Sequence, residues 1–199
     1  MEAIQHLSKD KKLGSIISKQ EQIALEAQKN IYLYICFSII SQQLSTRVAA
    51  IIKDRFLALY KKKTPTITEI AATPFEELKS IGLSASKTQY VMNVCAFFLE
   101  HQINDAMLKK MDDEEIIQLL TGIKGVGRWT VEMILMFAMG RTDVFAVDDL
   151  GIQQQMSKLY GIDATNKKAM KAEMMQIAEA WRPYRTYACR YLWNWKDKV

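Results

Sequence analysis

Leu120-Thr121-Gly122-Ile123-Lys124-Gly125-Val126-Gly127-Arg128-Trp129-Thr130-Val131 carries the strongest local instruction in the chain. An apolar helical pattern through Ile116, Leu119 and Leu120 stops at Gly122, glycines flank a single valine, and a second helix begins at once. Glycine permits positive φ and removes side-chain bulk, so backbone N–H groups at the start of the second helix can approach a phosphate whose charge the helix dipole favours. Lys124 and Arg128 lie beside the turn and strengthen this anion-cradle reading. On the glycines alone, an ordinary helix-to-helix turn with a glycine stop is the other reading.

Outward from this hairpin the chain reads as helical. Only three prolines and eight glycines interrupt 199 residues, which argues against a turn-rich β sandwich. Apolar residues make up 49% and charged residues 25%, so disorder, collagen-like repeats and coiled-coil rods are excluded. The periodic segments predict about ten short helices. Asn30 opens one through Ile31, Leu33, Tyr34, Phe37 and Ile40, and Ser45 caps another. Thr73-Pro74-Phe75-Glu76 offers an N-cap, a proline at the first helical position and an acid at the third. Asp112 and Glu115 repeat that logic, and Thr165 and Pro183 start the last two helices. Asp143–Val147 is the one extended-looking stretch of note. Ile81-Gly82-Leu83, ahead of the helix 85–98, faintly echoes Ile123–Gly127 ahead of the helix 128–139.

Charge and cysteine content narrow the function classes. Lys plus Arg outnumber Asp plus Glu by 27 to 22, a net +5 that suits a polyanionic partner without proving one. Cys36, Cys95 and Cys189 are too few and too scattered for a disulfide framework, a four-cysteine zinc site or an iron–sulfur cluster. The polar N-terminal stretch lacks a secretory pattern, and the apolar run 31–40 is half the length of a membrane span, so a cytoplasmic location is expected. The remaining signal is Asp148-Asp149, after Val144-Phe145-Ala146-Val147 and before Leu150-Gly151. Either acid can cap a helix, and a carboxylate facing a cleft there could stabilise developing positive charge or activate water.

In this order, the hairpin Gly125-Val126-Gly127, then Arg128-Trp129-Thr130, then Asp149 at 20 positions beyond Trp129 resembles the helix-hairpin-helix DNA glycosylase superfamily, in its AlkA-like 3-methyladenine DNA glycosylase II branch. The likeness extends to Ile39-Ile40-Ser41-Gln42-Gln43-Leu44-Ser45, similar to the family's DNA-probing segment, and to Trp181-Arg182-Pro183-Tyr184-Arg185 with Trp193, similar to its C-terminal helix. The resemblance implies an all-α fold of two helical lobes around a cleft, with the hairpin and Asp149 on its rim. One lobe would span about residues 30–140, and the other would combine the N-terminal residues with 141–199.

The resemblance also implies roles. Asp149 is the catalytic carboxylate and Asp148 is structural. Trp129 stands where family members that also cut the backbone carry a lysine for Schiff-base chemistry, so a monofunctional hydrolase is implied. Trp129 and Trp193 match aromatic positions of the damaged-base pocket, although core packing is the bland alternative for both. Gln43 matches the wedge that enters the duplex when the target nucleotide leaves. Met133 and Leu150 replace tyrosines of the best-known bacterial relative, which leaves this pocket less aromatic. Gly125, Val126, Gly127, Lys124 and Arg128 are the implied DNA contacts. The backbone carbonyls of Thr121, Ile123 and Val126 are the implied ligands of a potassium or sodium ion. The expected partner is double-stranded DNA with alkylated bases, bound by a monomer. A glycosylase for hypoxanthine or an oxidised purine, and a noncatalytic helix-hairpin-helix module, are the competing expectations.

Overall fold

The computed structural model describes residues 2–62 and 64–196, and among these it contains α-helices and no strand. Thirteen helices run in order: α1 (Glu2–Leu7), α2 (Lys11–Ile17), α3 (Ile31–Ser41), α4 (Thr46–Ala58), α5 (Ile67–Ala71), α6 (Phe75–Ser80), α7 (Ala85–Glu100), α8 (Asp105–Lys110), α9 (Asp113–Thr121), α10 (Arg128–Phe137), α11 (Leu150–Tyr160), α12 (Lys167–Glu179) and α13 (Arg185–Lys196). The excess over ten comes from single-turn and two-turn helices too short to show a period. None of the thirteen is long and apolar enough to cross a membrane. The chain divides into two compact units, residues 28–134 and residues 1–27 with 135–199; the division falls within α10. The sequence expectation put the divisions near 30 and 140.

Unit 28–134 is built around α3, whose Ile31, Leu33, Ile35, Cys36, Ile39 and Ile40 are buried on most sides because α4 and α7 pack against it. From α4 come Ala49, Ile52 and Phe56, and from α7 come Val91, Val94, Cys95 and Phe98. The α3 N-terminus is not capped by the Asn30 side chain. Asn30 takes a left-handed φ of 61°, and the Asp105 carboxylate accepts the N–H groups of Asn30 (2.7 Å) and Ile31 (3.1 Å). A carboxylate there answers the orphan donors and the positive end of the dipole together. Ser45 caps α4, and Asp112 with Glu115 forms the expected capping box of α9.

Unit 1–27 with 135–199 closes on Asp10. Its carboxylate accepts from the N–H groups of Lys12 and Leu13, the Tyr160 hydroxyl at 2.6 Å and the Trp181 indole at 3.1 Å. Burial pushes this carboxyl up, but the hydrogen bonds outweigh burial and hold it below its ordinary value. Trp181 is therefore a core residue. Helices α2, α11 and α13 pack together around it and around Ile152, Met156, Ala188 and Leu192.

Three helix starts differ from expectation, two of them because a nearer bond takes the capping group. The Thr73 hydroxyl donates to the Glu69 carbonyl at 2.9 Å, so it closes α5, and Pro74 occupies the N-cap place of α6. Thr165 is tied to Asp163, and Asn166 caps α12 instead. The last helix begins at Arg185, two residues beyond Pro183, where the Asp143 carboxylate binds the Arg185 guanidinium. The stretch 143–147 forms no strand.

Candidate functional site

The hairpin between α9 and α10 is anchored from within its own unit. Ile123 (2% exposed) and Val126 (5%) point into the core, and the Val126 N–H donates to the Ile123 carbonyl at 2.9 Å. Gly125 has φ +104°, and a Cβ there would lie 2.3 Å from Tyr90 Cγ. Both the backbone and the tyrosine ring of α7 therefore demand glycine. Asn93, one turn along α7, donates from its side chain to the Lys124 carbonyl at 3.1 Å. Gly127 is different, because a Cβ would meet nothing within 4 Å. It is exposed, as a position reserved for the approach of something outside the chain should be. Tyr90 and Asn93 were not found from the sequence, because nothing local marks them; the echo itself shows in the backbone, where Gly82 (φ +109°) and Gly125 adopt nearly the same angle, each ahead of a helix.

The two cations of the hairpin differ in availability. Arg128 is bidentate to Glu114 (3.0 and 2.8 Å) and donates from Nε to Glu132 at 3.2 Å. Glu114 raises the guanidinium's proton affinity, and Arg128 in turn holds Glu114 below the usual carboxylate range. Arg128 thus ties α10 to α9 through its ion pair with Glu114. Lys124 is exposed and in no ion pair among the described residues.

In the same unit, Trp129 and Gln43 come together. Tyr34, Phe37, Ser38, Ser41, Gln42, Gln43, Lys53, Trp129 and Met133 line an open cavity of about 610 Å³. Trp129 is 41% exposed, which is unusual for an indole and puts a π face beside the cavity. Met133 stands one turn further along α10, and Lys53 lies 5.5 Å from the Phe37 ring centre. Ser38 and Lys53 were not singled out by sequence, because nothing local marks them.

In the other unit, Asp149 is the N-cap of α11. Its Oδ1 accepts from the Ile152 N–H at 2.9 Å and from the Trp193 indole N–H at 2.8 Å. The Trp193 ring is stacked on Phe137, centroids 5.6 Å apart at 29°. Trp193, for which the sequence left pocket and core both open, donates a hydrogen bond that orients the carboxylate. Gly151 completes the arrangement, since a Cβ would sit 3.0 Å from Asp149 Oδ1 and 3.2 Å from the Trp193 ring. Glycine is a poor helix former, costing about 1 kcal/mol against alanine in a helix interior, so its presence two residues after the capping acid was the available signal. Asp148 instead pairs with Lys171 at the surface. Leu150, beside Asp149, is 66% exposed. A carboxylate fixed by two N–H donors can stabilise an adjacent developing cation with little reorganisation.

The family model described as HhH-GPD superfamily base excision DNA repair protein matches residues 36–183. DNA-3-methyladenine glycosylase 1 of Schizosaccharomyces pombe is 31% identical over 186 residues, covering 92% of this chain and 80% of that protein. Two solved structures superpose closely. The S. pombe 3-methyladenine DNA glycosylase Mag1, in complex with abasic DNA, gives a TM-score of 0.84 at 30% identity, covering 100% of this chain and 98% of its own. A DNA-3-methyladenine glycosidase of Bacillus halodurans gives 0.83 at 31% identity, covering 95% and 86% respectively.

Proposed function

The chain belongs to the HhH-GPD superfamily of base excision DNA repair proteins, and from that premise we propose that it is a monofunctional DNA glycosylase releasing alkylated purines such as 3-methyladenine. The observation that carries this reading is Asp149, held at the N-cap of α11 by the Ile152 N–H and the Trp193 indole. A noncatalytic DNA-binding module needs a helix cap there but has no need of an acid at this spacing from the hairpin. Cleavage of an N-glycosidic bond builds oxocarbenium character on the sugar, which the Asp149 charge stabilises while the same group orients or deprotonates water. An alkylated purine is cationic and departs readily, so strong acid assistance is unnecessary. Trp129, at the position where a lyase would need an amine, offers an indole that forms no Schiff base. Its π face attracts a cationic base.

DNA is held chiefly through its phosphates, at the N–H groups around Gly125, Val126 and Gly127 and by Lys124, with Gln43 entering the duplex. A monovalent cation fits the hairpin's chemistry. The Ile123 carbonyl accepts a single bond, and among the described residues no hydrogen bond ends on the carbonyls of Thr121 or Val126. These neutral hard oxygens suit potassium or sodium, which when bound would bridge to a DNA phosphate. The protein acts as a monomer, in the compartment that holds the DNA. The test is release of bases from randomly methylated duplex DNA, resolved by chromatography. Free 3-methyladenine is expected; release of only hypoxanthine or oxidised purines would replace the substrate, and no release would leave a binding module.

A further inference from the structure

The turn that follows α3 holds a conformation its residues do not favour. Ser41-Gln42-Gln43-Leu44 folds back through a bond from the Leu44 N–H to the Ser41 carbonyl, 3.2 Å. Gln42 at φ −52°, ψ 133° and Gln43 at φ 56° fit a type II turn. The third residue of such a turn requires positive φ and is normally glycine or asparagine. Glutamine there is disfavoured, because its Cβ crowds the backbone. The relaxed alternative is a type I turn, reached by flipping the Gln42–Gln43 peptide plane, which returns the third residue to negative φ.

A side chain on α7 opposes that flip. The carbonyl of the plane belongs to Gln42, and Lys87 Nζ on α7 donates to it at 2.6 Å. The same ammonium donates to the Ile40 carbonyl at 3.0 Å, in the last turn of α3, where carbonyls lack intrahelical partners. Lys87 is half-buried, and desolvation lowers its proton affinity. Its bonds are charge-assisted and weakly screened. Flipping the plane would swing the Gln42 oxygen off the ammonium. Gln43, at the tip, lines the cavity beside Trp129.

We propose that Lys87 is a positioning residue: by holding the Gln42 carbonyl it locks the strained turn that presents Gln43 to the duplex. What Gln43 does there rests on the glycosylase reading, whereas the lock is a property of the free protein and is measured without DNA. In the wild-type protein, nuclear Overhauser spectra should show a strong contact between Gln42 Hα and the Gln43 amide proton. Lys87→Met should weaken it and bring up the Gln42–Gln43 amide–amide contact of a type I turn. Single-turnover base release should then fall about tenfold, with affinity for undamaged duplex within about twofold. Adding Gln43→Asn, which tolerates positive φ and keeps an amide, should restore the turn and most of the rate. Should Lys87→Met not fold, Lys87→Gln, with one donor group left, should show both contact patterns at once. An unchanged Gln42–Gln43 pattern in these variants would overturn the lock. So would a matching loss of affinity for undamaged DNA without a turn change, which would make Lys87 a phosphate ligand. Absence of base release by the wild type would defeat the glycosylase reading alone, and the spectra would still decide the lock.

Discussion

Two glycines separated by one residue should respond to the same substitution in opposite ways. At Gly125 an alanine must adopt φ +104° and place its Cβ 2.3 Å from Tyr90 Cγ and 2.6 Å from Cδ1. Left-handed backbone costs an L residue about 1–2 kcal/mol. Overpacking costs about 1–3 kcal/mol more, and the ring offers little relief. Cγ is one bond from the Tyr90 Cβ, so it moves only if χ1 changes or α7 shifts. The total, roughly 2–5 kcal/mol, corresponds to a melting temperature lower by about 4–20 °C for a chain of this length. Gly127→Ala meets nothing within 4 Å, so its stability should stay within about 0.5 kcal/mol of wild type. Its effect belongs to DNA: crowding at the phosphate should weaken binding to damaged and undamaged duplex alike. Thermal unfolding by circular dichroism and a filter-binding titration separate the two. Tyr90→Ala should recover part of the Gly125→Ala loss, but not the backbone share. A Gly125→Ala protein melting within about 2 °C of wild type would refute the packing argument. A Gly127→Ala effect confined to damaged DNA would refute the placement of the phosphate.

Asp148→Asn should be mild, because the Lys171 pair is solvent-exposed and worth about 0–1 kcal/mol; base release near the wild-type rate checks it, and a dead variant would move the catalytic role to Asp148. Borohydride should trap no covalent protein–DNA adduct on a denaturing gel, because Trp129 offers no amine; a stable adduct would point to another amine, with Lys124 the nearest candidate. DNA affinity should be higher in potassium than in a bulky organic cation at equal ionic strength, which holds general screening constant; equal affinities would remove the bridging cation.

What the sequence made legible was what local chemistry dictates. The hairpin could be read because its glycine requirements sit within a few residues, and so could the capping box at Asp112 and Glu115 and the cap at Asp149, whose acceptors reach N–H groups three residues away. Thr73 and Thr165 misled because a short hydroxyl side chain has several nearby partners, and the fold chose Glu69 and Asp163. Long-range pairs were invisible. Glu114, which α9 brings to Arg128, lies 14 residues away, and the packing of α13 on α11 sets the Trp193 N–H against a carboxylate 44 residues away. The Lys87 bonds to Ile40 and Gln42 span 47 and 45 residues, and no periodicity foretells them.

Asp149→Asn, assayed for base release from methylated duplex DNA under single-turnover conditions, tests the central claim most directly. Asparagine caps helices as well as aspartate does and keeps an oxygen for the Ile152 and Trp193 donors, so the variant should fold and bind DNA while losing only the charge. Base release should fall at least about 100-fold, as expected when a preorganised electrostatic group is removed from a transition state. A rate within a few-fold of wild type, in a variant with unchanged melting and DNA affinity, would contradict Asp149 as the catalytic group.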